Sequence, residues 1–142
     1  MFDEKNENLG WELWKELTST TENLGKSHTR RVSHLNLTNP QFNVLETLNS
    51  EGSMSLKDIS KKLNVTGANI TCVMDNLEKQ NFAERIPSRT DRRIINAKMT
   101  ETGKRVFNEI NPLYVESITE ETNNLNDDEK VQLLELLTKL KS

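Results

Sequence analysis

Between Ser55 and Thr102 the apolar residues recur every three to four positions through two short runs. Past Asn81 they recur every second position, and a basic cluster sits where the chain must reverse. Ser55 is placed to cap the first run, with Asp58 three residues on as the reciprocal partner of a capping box. Leu56, Ile59 and Leu63 are its buried positions. Asn64-Val65-Thr66 makes the turn, Thr66 caps the second run, and Ile70, Val73, Met74 and Leu77 form an inward stripe. Phe82 and Ile86 read as alternating with Glu84, and Ile95, Ala97 and Met99 with Asn96 and Lys98. This predicts a two-stranded hairpin with a loop from Pro87 to Arg93. Helix, turn, helix, hairpin is the order of a winged helix-turn-helix, which suits one helix to the DNA major groove and a basic loop to the backbone beside it.

Overall charge alone argues the other way, since 19 Lys and Arg face 22 Asp and Glu in 142 residues. The distribution reverses that argument. Residues 55–105 hold 11 basic and 6 acidic side chains, a net of +5, while the remainder carries −8. A basic face is therefore segregated from an acidic rest.

The flanks read as long helices. From about Asp3 to His34, Trp11, Trp14, Leu17, Thr21, Leu24, His28 and Val32 line one side of a helix. A second begins at Thr38-Asn39-Pro40, turns Phe42, Leu45 and Leu48 inward, and ends at Glu51-Gly52. Thr100 caps a helix carrying Val106, Phe107, Ile110, Leu113, Tyr114 and Ile118, bent or interrupted near Pro112. A last helix, Asp127 to Leu140, carries Val131, Leu133, Leu134, Leu136, Leu137 and Leu140, a band broader than one neighbour needs. The expectation is a mainly α chain with a small β-hairpin wing, a single domain over 1–142. Its winged helix-turn-helix head (38–103) is flanked by N- and C-terminal dimerisation helices (1–35 and 104–142), and a second copy of the chain is the simplest cover for them.

One cysteine leaves no disulfide framework or Cys-rich zinc site within the chain and fits a reducing compartment. No signal peptide or membrane span is expected, so the predicted location is cytoplasmic. Catalytic motifs and phosphate loops are absent from the sequence, so neither an enzyme nor a cofactor is expected. His28 and His34, six apart on one helix, do not share a face and do not read as a zinc site.

On the second helix of the turn motif, Ala68, Thr71, Cys72, Asp75 and Lys79 lie opposite the inward stripe, with Asn69 and Asn76 on its flank. Thr66, Asn69 and Thr71 are short hydrogen-bonding side chains near its N-terminus, able to read base edges or hold a phosphate. In Ser88-Arg89-Thr90-Asp91-Arg92-Arg93, three guanidiniums surround one carboxylate, and Asp91 can hold Arg93 in a fixed direction. The DNA-binding set is thus Thr66, Ala68, Asn69, Thr71, Cys72, Asn76, Arg89, Asp91, Arg92 and Arg93. Asp75 and Glu78 keep a second reading open, a winged-helix module that meets another protein rather than DNA. Cys72 supports a third, a thiol switch on the reading helix.

The run from Leu56 through Gly103, with LTNPQFNVLETL before it, resembles the multiple-antibiotic-resistance regulator (MarR) family. The family's Asp-x-Arg wing motif falls on Asp91 and Arg93, and its Leu-Thr-x-x-Gly exit on Met99 to Gly103. The resemblance implies a homodimer built from the first and last helices that binds a pseudo-palindromic double-stranded operator, a transcriptional regulator and most often a repressor. It further implies release by a small phenolic or hydrophobic effector, for which Trp14, His28 and Phe42 are the candidate pocket residues, or by thiol oxidation. Redox-sensing members generally carry their reactive cysteine in the first helix, where this chain has none. Where relatives often have Thr-Arg in the reading helix, this chain has Thr71-Cys72.

Overall fold

The computed structural model describes residues 4–142 in backbone and 6–142 in side chain, so the expected helix start at Asp3 lies outside the described residues. The elements in order are α1 (Glu4–Val32), a short 3-10 turn (Ser33–Leu35), α2 (Asn39–Glu51), β1 (Met54–Ser55), α3 (Leu56–Leu63) and α4 (Gly67–Lys79). They continue with β2 (Ala83–Pro87), β3 (Ile95–Met99), α5 (Glu101–Glu121) and α6 (Asp127–Lys141). The described residues divide into two compact units, one of residues 32–114 and one of residues 4–31 together with 115–142.

In the first of these units the core is built around α2, whose Phe42, Val44, Leu45 and Leu48 are all buried. Thr38 starts this helix with a full capping box: its hydroxyl accepts from Gln41 N, and the Gln41 side chain accepts from Thr38 N. Gly52, at φ 79°, ends it in a conformation open to glycine. Phe42 stacks on Tyr114 with ring centroids 3.6 Å apart and on Phe107 at 5.4 Å. The Tyr114 hydroxyl donates to Asn39 Oδ1 at 3.0 Å, and burial raises its phenol above the usual tyrosine range. Ile59 from α3, Ile70, Met74 and Leu77 from α4, and Val32, Leu37, Ala83 and Ala97 complete the core, with Leu56, Leu63 and Val73 half-buried against it. Ser55 makes its half of the expected capping pair, accepting from Asp58 N at 3.0 Å.

Three strands form one antiparallel sheet in the order β1-β3-β2, one strand more than the hairpin expected. β1 is two residues long and pairs Met54 with Ala97 and Ser55 with Asn96. The pairing of β2 with β3 sets Ala83 opposite Met99, Arg85 opposite Ala97 and Pro87 opposite Ile95. This corrects the reading of β2. Phe82, Glu84 and Ile86 have the same parity and cannot alternate with one another; Ala83 is the buried residue, and Glu84 and Ile86 are exposed.

Two further expectations change on α5. The helix runs through Pro112 without interruption, and both Pro112 and Asn108, whose carbonyl loses its helical donor there, are exposed, so water can satisfy it. The apolar side of α5 is not covered evenly: Leu113 and Ile118 are exposed, while Phe107 and Tyr114 are the large apolar residues it buries.

In the other unit, Arg31 of α1 pairs with Glu120 and, at 2.6 Å, with Glu121. Ser27 Oγ donates to Glu121 at 2.6 Å, and His28 Nδ1 lies 3.3 Å from Ser117 Oγ. The Ser27 hydrogen bond and the Arg31 charge hold the Glu121 carboxyl below its ordinary range. On α1, Leu9, Trp11, Leu13, Trp14 and Leu24 are exposed; on α6, Val131, Leu133, Leu134, Leu136 and Leu140 are exposed, Leu134 at 64%. A capping box of Asn126 with Glu129 starts α6. Among the described residues no helix is long and apolar enough to cross a membrane, and no three His, Cys, Asp or Glu gather as a metal site would need.

Candidate nucleic-acid interface

The reading helix α4 begins where Asn64 takes the left-handed conformation, φ 53°, and reverses the chain after α3. Thr66 follows as the N-cap, its hydroxyl oxygen accepting from Asn69 N at 3.2 Å. Because Ile70, Met74 and Leu77 are buried, the helix is fixed about its own axis. Thr66, Ala68, Asn69, Thr71, Cys72 and Asn76 are all exposed.

Hydrogen bonding gives these residues different capacities. Thr71 Oγ1 donates its proton to Gly67 O at 2.9 Å, which leaves only lone pairs and the methyl group for a partner. Thr66 uses its oxygen as the cap acceptor and retains its hydroxyl proton. One can accept from a base or phosphate partner and the other can donate.

The wing tip is a built turn. Ser88 N donates to Ile94 O at 2.9 Å and closes the loop, while Ser88 Oγ accepts from Thr90 N and Asp91 N. Asp91 Oδ1 accepts from Arg93 N at 3.0 Å and lies 3.4 Å from Arg93 Nε, so the carboxylate grips both backbone and side chain of Arg93. Arg93 is nevertheless 92% exposed, and Arg89 and Arg92 are exposed beside it. An open groove of about 1030 Å³ runs between the start of α3 and this tip, lined among others by Lys57, Asp58, Ser88, Asp91 and Arg93.

Sequence reasoning missed Arg85. It counted among the basic residues of the head, yet its guanidinium is turned onto α4, 2.8 Å from Asp75 Oδ1 and 3.2 Å from Glu78 Oε2. The two acids that kept a protein-binding surface in view are therefore engaged within the fold. The spacing of Asp75 and Glu78, three apart on a helix, was a possible signal; which cation would meet them depends on the strand parity of Arg85.

Of the other singled-out residues, Trp14 and His28 belong to one compact unit and Phe42 and Cys72 to the other. Trp14 is 62% exposed, and His28, 14 residues further along α1, is about 21 Å away by helical rise. Phe42 is a core residue of the winged unit. Cys72 is a free, exposed thiol.

Comparison with known proteins agrees with this geometry. The sequence pattern of the MarR family matches residues 37–95. The chain is 33% identical over 114 residues to the HTH-type transcriptional regulator MhqR of Bacillus subtilis, covering 80% of this chain and 79% of MhqR. It is 31% identical over 96 residues to the HTH-type regulator YfiV of the same organism, covering 68% of this chain but only 60% of YfiV. Among solved structures, it superposes on a cysteine-to-serine mutant of MarR from E. coli complexed with operator DNA. That match has a TM-score of 0.84 and 26% identity, and covers 98% of this chain and 99% of the other. With its cap-defined reading helix, its arginine-tipped wing and these relatives, the chain belongs to the MarR family of winged helix-turn-helix transcriptional regulators.

Proposed function

We propose that this regulator acts as a homodimeric repressor in the cytoplasm, each protomer laying α4 into the major groove of one half of a pseudo-palindromic operator and its wing onto the flanking backbone or minor groove. The observation that carries the reading is the exposure, on one side of α4, of short side chains with complementary hydrogen-bonding capacity, next to a wing whose Arg93 is held by Asp91. Thr71, left with an acceptor and a methyl group, suits a base edge that offers an amino donor or a thymine methyl. The Cys72 side chain adds a small apolar surface where the family's usual arginine would place a cation. Arg89, Arg92 and Arg93 supply phosphate contacts, with the groove beside Lys57 tracking the strand.

Dimerisation is supported by the exposed apolar residues of α1 and α6, which a second copy would cover. The effector is proposed as a small phenolic or hydrophobic molecule, with Trp14 and His28 as candidate contacts; Phe42 is 5% exposed and packed in the core of the winged unit. The distance between Trp14 and His28 along α1 favours their contributing to different parts of an intersubunit site over a single small pocket.

Selection of bound duplexes from a random pool tests the reading directly. A paired half-site with centres near one helical turn apart is expected. Recovery of unrelated sequences with no paired half-site would overturn sequence-specific binding by a dimer.

A further inference from the structure

Arg85 joins the two elements that the DNA reading relies on. It lies on β2, and its side chain is 23% exposed. Its Nη2 donates to Asp75 Oδ1 at 2.8 Å and to the Thr71 carbonyl at 3.2 Å, and its Nη1 lies 3.2 Å from Glu78 Oε2. The exchange is two-sided, because Glu78 Oε1 accepts from the Arg85 backbone N at 3.0 Å. Residues 71, 75 and 78 are successive positions along one side of a helix. A single strand residue thus holds two turns of α4, while two residues further on its strand becomes the wing loop.

The contacts have an electrostatic consequence. Asp75 and Glu78 would otherwise leave two uncompensated carboxylates on the element that has to approach a polyanion. A planar guanidinium forked between them cancels one charge and orients both, which an ammonium group does less well.

We propose that Arg85 is a positioning residue for operator recognition: without reaching DNA itself, it locks the wing strand to the reading helix and masks that helix's carboxylates. This rests on the DNA-binding reading and adds to it a dependence that phosphate contacts do not create. The substitution Arg85→Gln therefore lowers affinity for the selected duplex by about tenfold, the scale of an uncompensated charge facing a phosphate chain under partial screening. Adding Asp75→Asn and Glu78→Gln to that variant removes the exposed charges and restores affinity to within about threefold of the parent protein.

The test is fluorescence anisotropy with the selected duplex and a random duplex, with a thermal melt of every variant in parallel. A second variant, Asp75→Asn with Glu78→Gln and Arg85 retained, leaves the guanidinium with no carboxylate to neutralise it. It is expected to bind random duplex more tightly while discriminating less between the two duplexes. That arm decides the matter even where Arg85→Gln does not fold. Unchanged affinity in Arg85→Gln, a triple variant no better than the single one, or unaltered discrimination in the double variant would each overturn the proposal. Failure of the unmodified protein to bind any duplex at low salt would instead sink the DNA-binding reading along with it.

Discussion

Asp91 and Arg93 show how one wing residue makes another useful. The carboxylate costs the wing a negative charge near phosphates, yet its two contacts fix the direction of a guanidinium that is otherwise surrounded by solvent. Arg93→Ala is accordingly expected to weaken operator binding with the protein still folded, and Asp91→Ala to weaken it less, because the cation stays but loses its orientation. Anisotropy with the selected duplex measures both; equal affinity in Arg93→Ala would remove the wing from the mechanism. Gly103 is constrained for a different reason. A Cβ there would lie 1.9 Å from the Phe82 carbonyl oxygen, where Thr100 N already donates at 3.1 Å, so backbone rather than a flexible side chain would have to move. Gly103→Ala should destabilise the protein by about 1–3 kcal/mol, read from urea unfolding. The Asp91–Arg93 relation was legible in the sequence because the two residues are neighbours; the Gly103 contact was not, because Phe82 approaches from 21 positions away across the sheet.

Elements divide in the same way. The helices were readable because a cap and a stripe are local: Thr38, Ser55, Thr66 and Thr100 all cap as their positions suggest. Thr71 illustrates what an element adds to a residue. Mid-helix geometry captures its hydroxyl proton on Gly67 O, so its role is set by α4 before any partner arrives. Thr71→Val keeps the shape and removes the acceptor, and should shift base preference at one operator position by about 1–3 kcal/mol while leaving other positions unchanged. Repeating the duplex selection with the variant checks this, and an identical preferred sequence would exclude Thr71 from reading. Strands were less readable. β1 is two residues with no periodicity of its own, called into existence by the free edge of β3, and the face of β2 followed from its register with β3 rather than from its apolar residues.

At the scale of the whole molecule, the exposed leucines of α6 and the tryptophans of α1 are too many for a surface that stays in water. Placing charges there tests what covers them. Leu134→Glu combined with Leu136→Glu should shift the protein toward monomer in sedimentation velocity and weaken operator binding much more than it lowers the stability of the winged unit, since a dimer gains by engaging both half-sites at once. A sedimentation profile unchanged by the two charges would remove these leucines from the proposed self-interface. The net acidity of the chain belongs to this scale too: it describes the average of a basic head and an acidic remainder, and only the head has to meet DNA.

By itself the sequence determined which segments are helices, where α2 to α6 begin, and which side of α4 is free, because capping and helical periodicity act over three to seven residues. Tertiary structure alone decided the parity of β2, the existence of β1, the glycine demanded beneath Phe82 and the capture of Asp75 and Glu78 by Arg85. Each of those depends on which distant backbone lies alongside, and that is settled by burial of the shared core rather than by any local preference.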